Sequence, residues 1–373
     1  MKLLYLIFHG FEAYNGISKK IHYQVNALKQ CGVETHLCYI HIDNDGYQKR
    51  MIDDQALENI GHGIKAKIKK RVDYSAILNY TEKNNINLIY IRSYHNANPF
   101  LISFVKQAAK IGVKTLLEIP TYPYDNEYIN SSLPIRLQLF TDKLYRRKLA
   151  LNIFRIVTFS NETNIFGAKT INISNGIDFD AIKIKEPTNS NPNIITLISV
   201  AEIHIWHGFD RLLKGLTEYY KVKQDLEVRY EIVGYGDEHE ISKLKNYIIQ
   251  NKLENYVTFH GPQYGESLDN LFNQASIGIA SLGRHRSGIT NIKTLKNREY
   301  AARGIPFIYS EVDDDFEEKP YIMKVSADES PINILDVIAF YEKVKTIPAI
   351  EIRNSISNLS WKNQMEKVIS ACK

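Results

Sequence analysis

The feature that most constrains the fold is an alternation of short apolar runs with longer amphipathic segments. In the first half of the chain, residues 17–32 and 98–112 have helical periodicity and separate neighbouring apolar runs. Such an alternation is typical of a parallel sheet that is covered by helices on both faces. It predicts strands at residues 2–8, 33–40, 87–91, 114–119, 155–159 and 169–173.

The same pattern restarts in the second half, where residues 209–222 and 240–250 are predicted helices. Because 373 residues exceed the usual size of one domain, we predict an α/β protein with two Rossmann-like, doubly wound domains. Each sheet would hold a ligand crevice at the carboxyl ends of its strands. The predicted strands of this half are 193–200, 227–234, 256–261, 276–281, 305–310 and 321–326.

The domain boundary is predicted from a change in composition. Residues 175–192 begin with an Asn-Gly turn signal and continue with Pro, Asn and Ser, which is typical of a linker. The first domain is therefore predicted to span residues 1–174 and the second residues 193–356. Residues 357–373 are predicted to form a terminal helix.

The bulk composition is that of an ordinary soluble protein, with 44% hydrophobic and 24% charged residues. A net charge of +5 is too small to require nucleic acid, and we expect no such partner. Three cysteines without metal or disulfide spacing favour a reducing compartment. The apolar start, residues 1–10, is too short to span a membrane and lacks a cleavage site. We interpret it as a buried strand and expect a cytoplasmic protein.

Two stretches concentrate basic residues among apolar ones. Such faces can lie on an anionic membrane surface, which predicts peripheral contact with the inner face of the cell membrane. A solvated helix face is the alternative. The stretches contain Lys65, Lys67, Lys69, Lys70 and Arg71, and then Lys143, Arg146, Arg147 and Lys148.

The segment 276–310 has the pattern of a phosphate site. A predicted strand is followed by the loop GRHRSGITN and then by a helix that ends near Gly304, with Pro306 two residues beyond. A helix N-terminus behind a loop rich in Gly and Arg favours anions. Glu299, inside this helix, has a carboxylate that suits the cis-diol of a ribose. Together these features indicate a nucleoside-diphosphate ligand.

Five passages in order give the chain a resemblance to the retaining glycosyltransferases of the GT-B fold, in glycosyltransferase family 4. The resemblance implies two domains that face a cleft, with the donor on the second domain, the acceptor on the first, and the last helix crossing back to the first. The passages are NGISKK, FSN…INISNGID, SVAEIHIWHGFDRLLKGL, IVGYGDE…VTFHG and NIKTLKNREYAARGIP.

The resemblance implies specific donor-binding residues. Glu299 matches the second of two family acids and would bind the ribose, whereas Asn291 replaces the first acid. Glu202 and His207 replace the usual Arg and Lys of the diphosphate site, so we expect Lys296 and Arg286 to supply charge; for Lys296, pairing with Glu299 on a solvated face is the alternative. The donor-binding set is Gly16, His207, Gly208, Gly234, Gly236, Gly261, Pro262, Asn291, Thr294, Leu295 and Glu299, with Lys293 and Arg284 as further cations.

The first domain is expected to carry the acceptor. Glu118 ends a predicted strand and is predicted to act with Lys296 and Arg286 at the reacting centre; a structural loop acid is the alternative. Prolines that hold aromatic and acidic residues after that strand would form a sugar-binding loop. The acceptor-binding set is Arg92, His95, Tyr122, Tyr124 and Asp125.

The predicted reaction is transfer of a hexose from a nucleoside-diphosphate sugar, UDP above all, with retention of configuration. The acceptor would be a glycan or a lipid-linked oligosaccharide in surface polysaccharide synthesis. No metal motif is present, the acid run 313–315 is interpreted as solvated, and metal-independent transfer is expected. A UDP-sugar epimerase and a non-catalytic GT-B-like binding protein are the alternatives. An NAD-dependent oxidoreductase is disfavoured because the glycine fingerprint at 234–238 is incomplete.

Overall fold

The chain forms two compact units, seen in a computed structural model that describes residues 1–11, 16–125, 132–187, 191–289 and 291–373. The first unit comprises residues 1–174 and 361–373, and the second comprises residues 175–360. No helix within the described ranges is both long and apolar enough to cross a membrane.

The first unit is a nine-stranded sheet with helices packed against it. Its strands are spatially ordered β4-β3-β2-β1-β5-β6-β7-β9-β8. The elements are β1 (Lys2–Leu6), α1 (Gly16–Gln30), β2 (Glu34–Ile42), β3 (Tyr47–Ile52), β4 (Gln55–His62), α2 (Gly63–Val72), α3 (Ser75–Lys83), β5 (Leu88–Arg92), α4 (Pro99–Lys110), β6 (Lys114–Ile119), α5 (Leu133–Ala150), β7 (Arg155–Thr158), β8 (Asn164–Ile165) and β9 (Ala168–Asn172).

The second unit is a six-stranded parallel sheet in the order β12-β11-β10-β13-β14-β15. Short 3-10 helices lie at Ile205–His207, Arg284–Ser287 and Ser357–Leu359. The elements are β10 (Ile194–Ile203), α6 (Phe209–Tyr219), β11 (Glu227–Gly236), α7 (Glu238–Gln250), β12 (Val257–Gly261), α8 (Glu266–Gln274), β13 (Ile277–Ile279), α9 (Leu295–Arg303), β14 (Phe307–Tyr309), β15 (Ile322–Lys324), α10 (Ile334–Val344) and α11 (Ala349–Asn354).

The last helix, α12 (Trp361–Ser370), packs on α1 of the first unit. Its Trp361, Met365 and Val368 are buried and lie on one helical face, at a spacing of four and three residues. Ile177 pairs with Ser360, and the described part of 175–192 is grouped with the second unit.

The predicted α/β architecture is confirmed, but the first sheet contains strands that were not predicted, namely β3, β4 and the short β8, which pairs antiparallel with β9. Residues 47–62 form an antiparallel hairpin, β3–β4, that the sequence analysis did not predict. Its turn places Asp53 and Asp54 at φ 46° and 68°, the left-handed conformation of a tight hairpin turn. Arg50 of β3 is buried and pairs with Glu58 of β4, so these strands do not have the apolar pattern of a buried strand.

Candidate functional site

The carboxyl ends of three adjacent strands build the candidate site of the second unit. Strands β10, β13 and β14 run parallel and side by side, so the loops that follow them emerge at one edge of the sheet. In doubly wound folds this edge is where ligands bind. The loops are residues 204–208, 280–288 and 310–315.

Two glycines let the first two loops touch. Gly208 has φ 64°, and a Cβ placed on it would lie 2.5 Å from the backbone nitrogen of Gly283. The N–H of Leu282 donates to the carbonyl of His207 at 2.8 Å. Any larger residue at Gly208 would therefore separate the loops, which explains the glycine.

His207 is a buried histidine with a defined proton position. The backbone N–H of His204 donates to its Nδ1 at 3.1 Å, so Nδ1 carries no proton. Burial lowers the pKa of His207 well below its ordinary value, and the charges of Lys296, His204 and Arg284 lower it further. The ring is therefore neutral at pH 7, with its proton on Nε2, and that N–H can donate to a ligand oxygen.

Lys296 lies in the first turn of α9. Thr294 is the N-cap of this helix and accepts from the N–H of Asn297 at 3.4 Å. Burial lowers the pKa of Lys296; the charge of Glu311 opposes this shift, and that of Arg284 adds to it. A cation beside the free N–H groups of a helix N-terminus is suited to holding a phosphate.

Glu311 follows β14 at the same edge and is 2% exposed. Among the described residues, no other residue donates a hydrogen bond to either carboxylate oxygen. Burial raises the pKa of Glu311, whereas its own backbone N–H and the charges of Lys296 and Arg284 oppose this shift. Asn291 lies nearby, because it forms a bridge with Val312, the residue after Glu311.

Arg286 takes part in an ion-pair network. It donates to both carboxylate oxygens of Asp210, at 2.7 and 2.9 Å, and to Glu329 at 2.8 Å. These two acids raise its pKa, with Glu329 the larger cause. Two carboxylates thus already compensate the charge of Arg286. Arg284, whose guanidinium lies 5.5 Å from the ring centre of Trp206, is the arginine of this loop whose charge reaches Lys296 and Glu311.

The acid run 313–315 is not solvated as a whole, which corrects its interpretation from sequence. Asp313 has no exposed surface and pairs with the equally buried Arg298, which also bonds Asp315. Arg298 in turn donates from Nε to the carbonyl of Asn175 at 2.9 Å. This network fixes α9 to the loop after β14, and so holds Lys296 and Glu311 in one place.

Glu299 is partly exposed, at 30%, and its position in α9 is set by Arg303. Two nitrogens of Arg303 donate to the same oxygen, Oε1, each at 3.1 Å. Arg303 also bonds Asp269 at 2.8 Å. The carboxylate is thus oriented by its neighbours while part of it remains accessible to a ligand hydroxyl.

The predicted base pocket contains glycines of two kinds. A Cβ on Gly234 or Gly236 would lie 1.8 or 2.2 Å from a carbonyl oxygen of β10, so these glycines are required by strand packing. Gly261 has φ 66° with open space around its Cβ position, and Pro262 follows it. Open space at the end of β12 is compatible with a ligand there.

In the first unit, Glu118 occupies a buried polar cluster. It has no exposed surface and pairs with Arg92, and it accepts from Tyr90 at 2.6 Å and from Gln24 at 2.8 Å. Lys20 lies 3.7 Å away. Burial raises the pKa of Glu118, but the charges of Lys20 and Arg92 outweigh it and hold the pKa below its ordinary value. All four of these partners belong to the first unit, so the carboxylate of Glu118 is held by its own neighbours.

Three other residues of the predicted acceptor set are also engaged within the unit. Tyr124 is 3% exposed and donates to Asp142 at 2.6 Å, while Asp125 holds Arg146 at 2.8 and 3.1 Å. His95 packs 4.1 Å from the Tyr124 ring, and burial lowers its pKa to about 4. Of the set, Tyr122 remains partly exposed, and Gly16 at the start of α1 has open space at its Cβ position.

No group of three or more His, Cys, Asp or Glu side chains with the arrangement of a metal site occurs in the part of the chain that the structure describes. Among the described residues, Lys296 and Arg284 are thus not accompanied by such a metal site.

Solved structures place this architecture among known proteins. No protein-family model matches the sequence, and no curated protein matches it. A sucrose-phosphate synthase from Thermosynechococcus elongatus superposes with a TM-score of 0.68 at 14% identity, over 100% of this chain and 98% of that one. This chain has the GT-B fold. A glycosyltransferase from Rickettsia africae gives a TM-score of 0.64 at 14% identity, over 99% and 97% of the chains.

A third GT-B structure is the Anabaena protein HepE in complex with UDP, with a TM-score of 0.59, 13% identity and full coverage of both chains. Identities this low establish the fold alone. The residues of the site must therefore be argued from their own geometry.

Sequence analysis missed two residues of this geometry. Glu311 was not singled out, although an acid directly after the apolar run 305–310 is the signal expected at the carboxyl edge of a sheet. Lys20 was also missed. It is buried against Glu118, Phe159 and Trp361. Because this position of the helix holds a lysine and not an apolar residue, the hydrophobic pattern does not reveal that it is buried.

Proposed function

We propose that this protein is a glycosyltransferase that uses a nucleoside-diphosphate sugar, with UDP as the nucleotide. The observation that carries the proposal is the convergence of His207, Lys296 and the N-terminus of α9 at one edge of the second sheet. A neutral N–H donor, an ammonium group and free backbone amides together suit a diphosphate. The second unit is thus the donor-binding domain.

The transferred sugar leaves a diphosphate on which negative charge grows. Donors that are already oriented toward that charge stabilise the transition state, because they need not reorganise during the reaction. In this proposal His207 and Lys296 are those donors, and Glu299 holds the ribose. The leaving diphosphate takes the proton of the acceptor hydroxyl as the new glycosidic bond forms on the same face, which retains the configuration. The two cations Lys296 and Arg284 serve in place of a divalent metal.

The first unit is proposed to bind the acceptor, a glycan or a lipid-linked oligosaccharide. Glu118 is assigned a positioning role in this unit, because it holds Arg92 and Lys20 and is itself fully buried. Tyr122 and the open space at Gly16 remain the candidates for direct contact. Tyr124 and Asp125 support that region through Asp142 and Arg146.

Nucleotide binding is the first test. Thermal stabilisation would be measured with UDP, GDP, ADP, CMP, dTDP and NAD; a shift with one diphosphate supports the proposal and identifies the base. A protein that responds to none of them, or to NAD alone, contradicts it. Incubating the selected sugar nucleotide without acceptor distinguishes a transferase, which leaves the sugar unchanged, from an epimerase.

Helix α5 supports a second part of the proposal, contact with an anionic membrane. Leu133, Leu137, Phe140 and Leu144 follow one another at helical spacing and are 58–67% exposed. The exposed basic residues that flank this apolar stripe are Arg136, Lys143, Arg147 and Lys148. An apolar face beside cations matches an interfacial helix, whose apolar side enters the lipid while its cations meet anionic headgroups.

Helix α2 of the same unit adds a smaller patch. Ile64 and Ile68 are 76% and 56% exposed, one helical turn apart, and Lys65 and Lys67 are exposed beside them. Lys69 instead pairs with Glu58, at 3.2 Å, so it contributes less than the sequence indicated. The proposed location is the cytoplasmic face of the membrane, where a lipid-linked acceptor would be available.

Vesicle binding tests this part. The double substitution Phe140→Glu and Leu144→Glu should reduce co-sedimentation with phosphatidylglycerol-containing vesicles by about tenfold or more, since both apolar contact and charge attraction are lost. Leu335→Glu, on the exposed face of α10, is the matched control and should bind as wild type does. Equal binding by the double variant would contradict membrane docking through α5 and leave the donor assignment untouched.

A further inference from the structure

Glu311 is a buried acid of the donor site to which the proposed function gives no role. Its side chain is 2% exposed, and no other residue in the part of the chain that the structure describes donates a hydrogen bond to either carboxylate oxygen. A buried carboxylate without partners is costly, because folding removes its water and returns nothing. The fold nevertheless keeps the acid at the carboxyl edge of the sheet, two residues beyond the end of β14.

The residues on either side of Glu311 are held by specific contacts. Asp313, two residues on, is locked to Arg298, and Val312 forms a bridge with Asn291. The N–H of Ile292 also donates to the carbonyl of Val312 at 2.9 Å. The backbone on each side of Glu311 is thus held in place, which fixes the position of its carboxylate at this edge of the sheet.

The neighbouring charges define which ligand fits. Lys296 and Arg284 act electrostatically on Glu311, yet neither donates a hydrogen bond to its oxygens. A phosphate would be attracted to those cations but repelled by the carboxylate. The group that fits the carboxylate itself is a neutral hydrogen-bond donor, and two oxygens favour a pair of hydroxyls.

We infer that Glu311 binds hydroxyl groups of the sugar in the donor, while Lys296 and the N-terminus of α9 hold the diphosphate beside it. The inference rests on the proposed function, since it assigns the sugar-recognising residue of the same site. It makes Glu311 a specificity-determining residue: it contributes to affinity for the sugar-bearing nucleotide and not to affinity for the bare diphosphate.

The test compares ligands with and without the sugar. Calorimetry would measure binding of UDP, UDP-glucose, UDP-galactose and UDP-N-acetylglucosamine to wild type, Glu311→Gln and Glu318→Gln. Glu318 is an exposed acid on the same loop and is the matched control. We expect Glu311→Gln to weaken binding of the preferred UDP-sugar by about 10- to 100-fold, the range for a lost hydrogen bond to a charged group. Affinity for UDP should not fall below that of wild type, because the bare diphosphate makes no contact with the carboxylate and is repelled by it.

The other outcomes separate the two proposals. If Glu311→Gln binds both UDP and the UDP-sugar as wild type does, or loses affinity for both equally, the sugar assignment is overturned while nucleotide binding stands. The assignment is likewise overturned if no UDP-sugar binds wild type more tightly than UDP. If wild type binds neither UDP nor any UDP-sugar, the proposed UDP-dependent function itself fails. Folding of each variant is checked by its thermal unfolding midpoint.

Discussion

The backbone N–H of His204 donates to Nδ1 of His207, and this contact fixes the proton of a buried neutral ring on Nε2. Which ring nitrogen carries the proton decides what the residue can do, since only the protonated nitrogen can donate to a phosphate oxygen. His207 can therefore donate a hydrogen bond to a ligand without carrying positive charge.

His207→Ala should lower turnover about 100-fold, because one oriented donor to the developing charge is removed. His207→Gln, whose amide can place an N–H near the position of Nε2, should recover part of the loss. The pKa of His207 is lowered by burial, so protonation of this ring should not shape the rate between pH 6 and 8. Steady-state kinetics at several pH values would measure both effects; an acid limb in that range that disappears in His207→Gln would contradict the neutral-donor role.

Substitutions of Lys296 and Arg286 should differ in their effects on diphosphate binding and on stability. Lys296→Ala should weaken diphosphate binding, whereas Arg286→Ala should cost about 2 kcal/mol in the free energy of unfolding and leave diphosphate affinity near wild type. The reason is that Arg286 is already bonded to Asp210 and Glu329. Calorimetry with UDP and urea unfolding would measure the two quantities. Loss of UDP affinity in a well-folded Arg286→Ala protein would instead support the predicted role of Arg286 in binding phosphate.

The pH dependence of binding should follow Lys296. Burial lowers the pKa of this ammonium group, and only its charged form attracts the diphosphate. Affinity for UDP should therefore fall as the pH rises through that lowered pKa, and Lys296→Arg, which stays charged, should lose this dependence. Titrations from pH 6 to 9 would measure it. A pH profile that is the same in both proteins would show that another group titrates.

Glu118 should stabilise the folded protein most strongly at pH values above the ordinary pKa of a glutamate. Its pKa in the folded state is lowered by Lys20 and Arg92 against the effect of burial, so its stabilisation is lost as the pH falls through the folded value. Glu118→Gln should cost about 3 kcal/mol or more at pH 7, because buried cations lose their partner, and the difference from wild type should shrink toward pH 3. Urea unfolding at several pH values would test this, with the exposed Glu82→Gln as control.

The contribution of Glu311 to stability should change with pH in the direction opposite to that of Glu118. Burial raises its folded pKa, so the stability of wild type declines as the pH rises through that value, whereas a glutamine does not titrate. Glu311→Gln should therefore have a higher thermal unfolding midpoint than wild type, with the gap widening from pH 5 to pH 8. A gap that stays constant, or that is matched by Glu318→Gln, would show that the carboxylate of Glu311 carries no such penalty.

Much of the fold followed from the sequence because its strands are buried on both faces. In β5 all five residues, 88–92, are buried, and the first four form a continuous apolar run that can be recognised in the sequence without knowledge of the neighbouring strands. The β3–β4 hairpin was missed for the opposite reason: its stability depends on Arg50 meeting Glu58 and on a left-handed Asp53–Asp54 turn, and neither produces an apolar run.

The site was predicted less well, because pairing between charges is not visible in local sequence. Arg286 and Lys296 look alike as cations, but Arg286 meets Glu329, which is 43 residues away, while Lys296 makes no such pair. Asp313 was interpreted as solvated because its local sequence does not indicate its pairing with Arg298, which lies fifteen residues earlier in the chain. The helix end at Gly304, in contrast, was predicted correctly, since its left-handed conformation, φ 77°, is a local property.

The contact of Gly208 with Gly283 has a consequence for redesign of the donor site. Because their backbones touch with no room for a side chain, the loops after β10 and β13 behave as one interlocked part. Grafting either loop alone from another protein of the GT-B fold would leave a misfit where the loops meet, so a change of ligand preference would require transplanting both loops together.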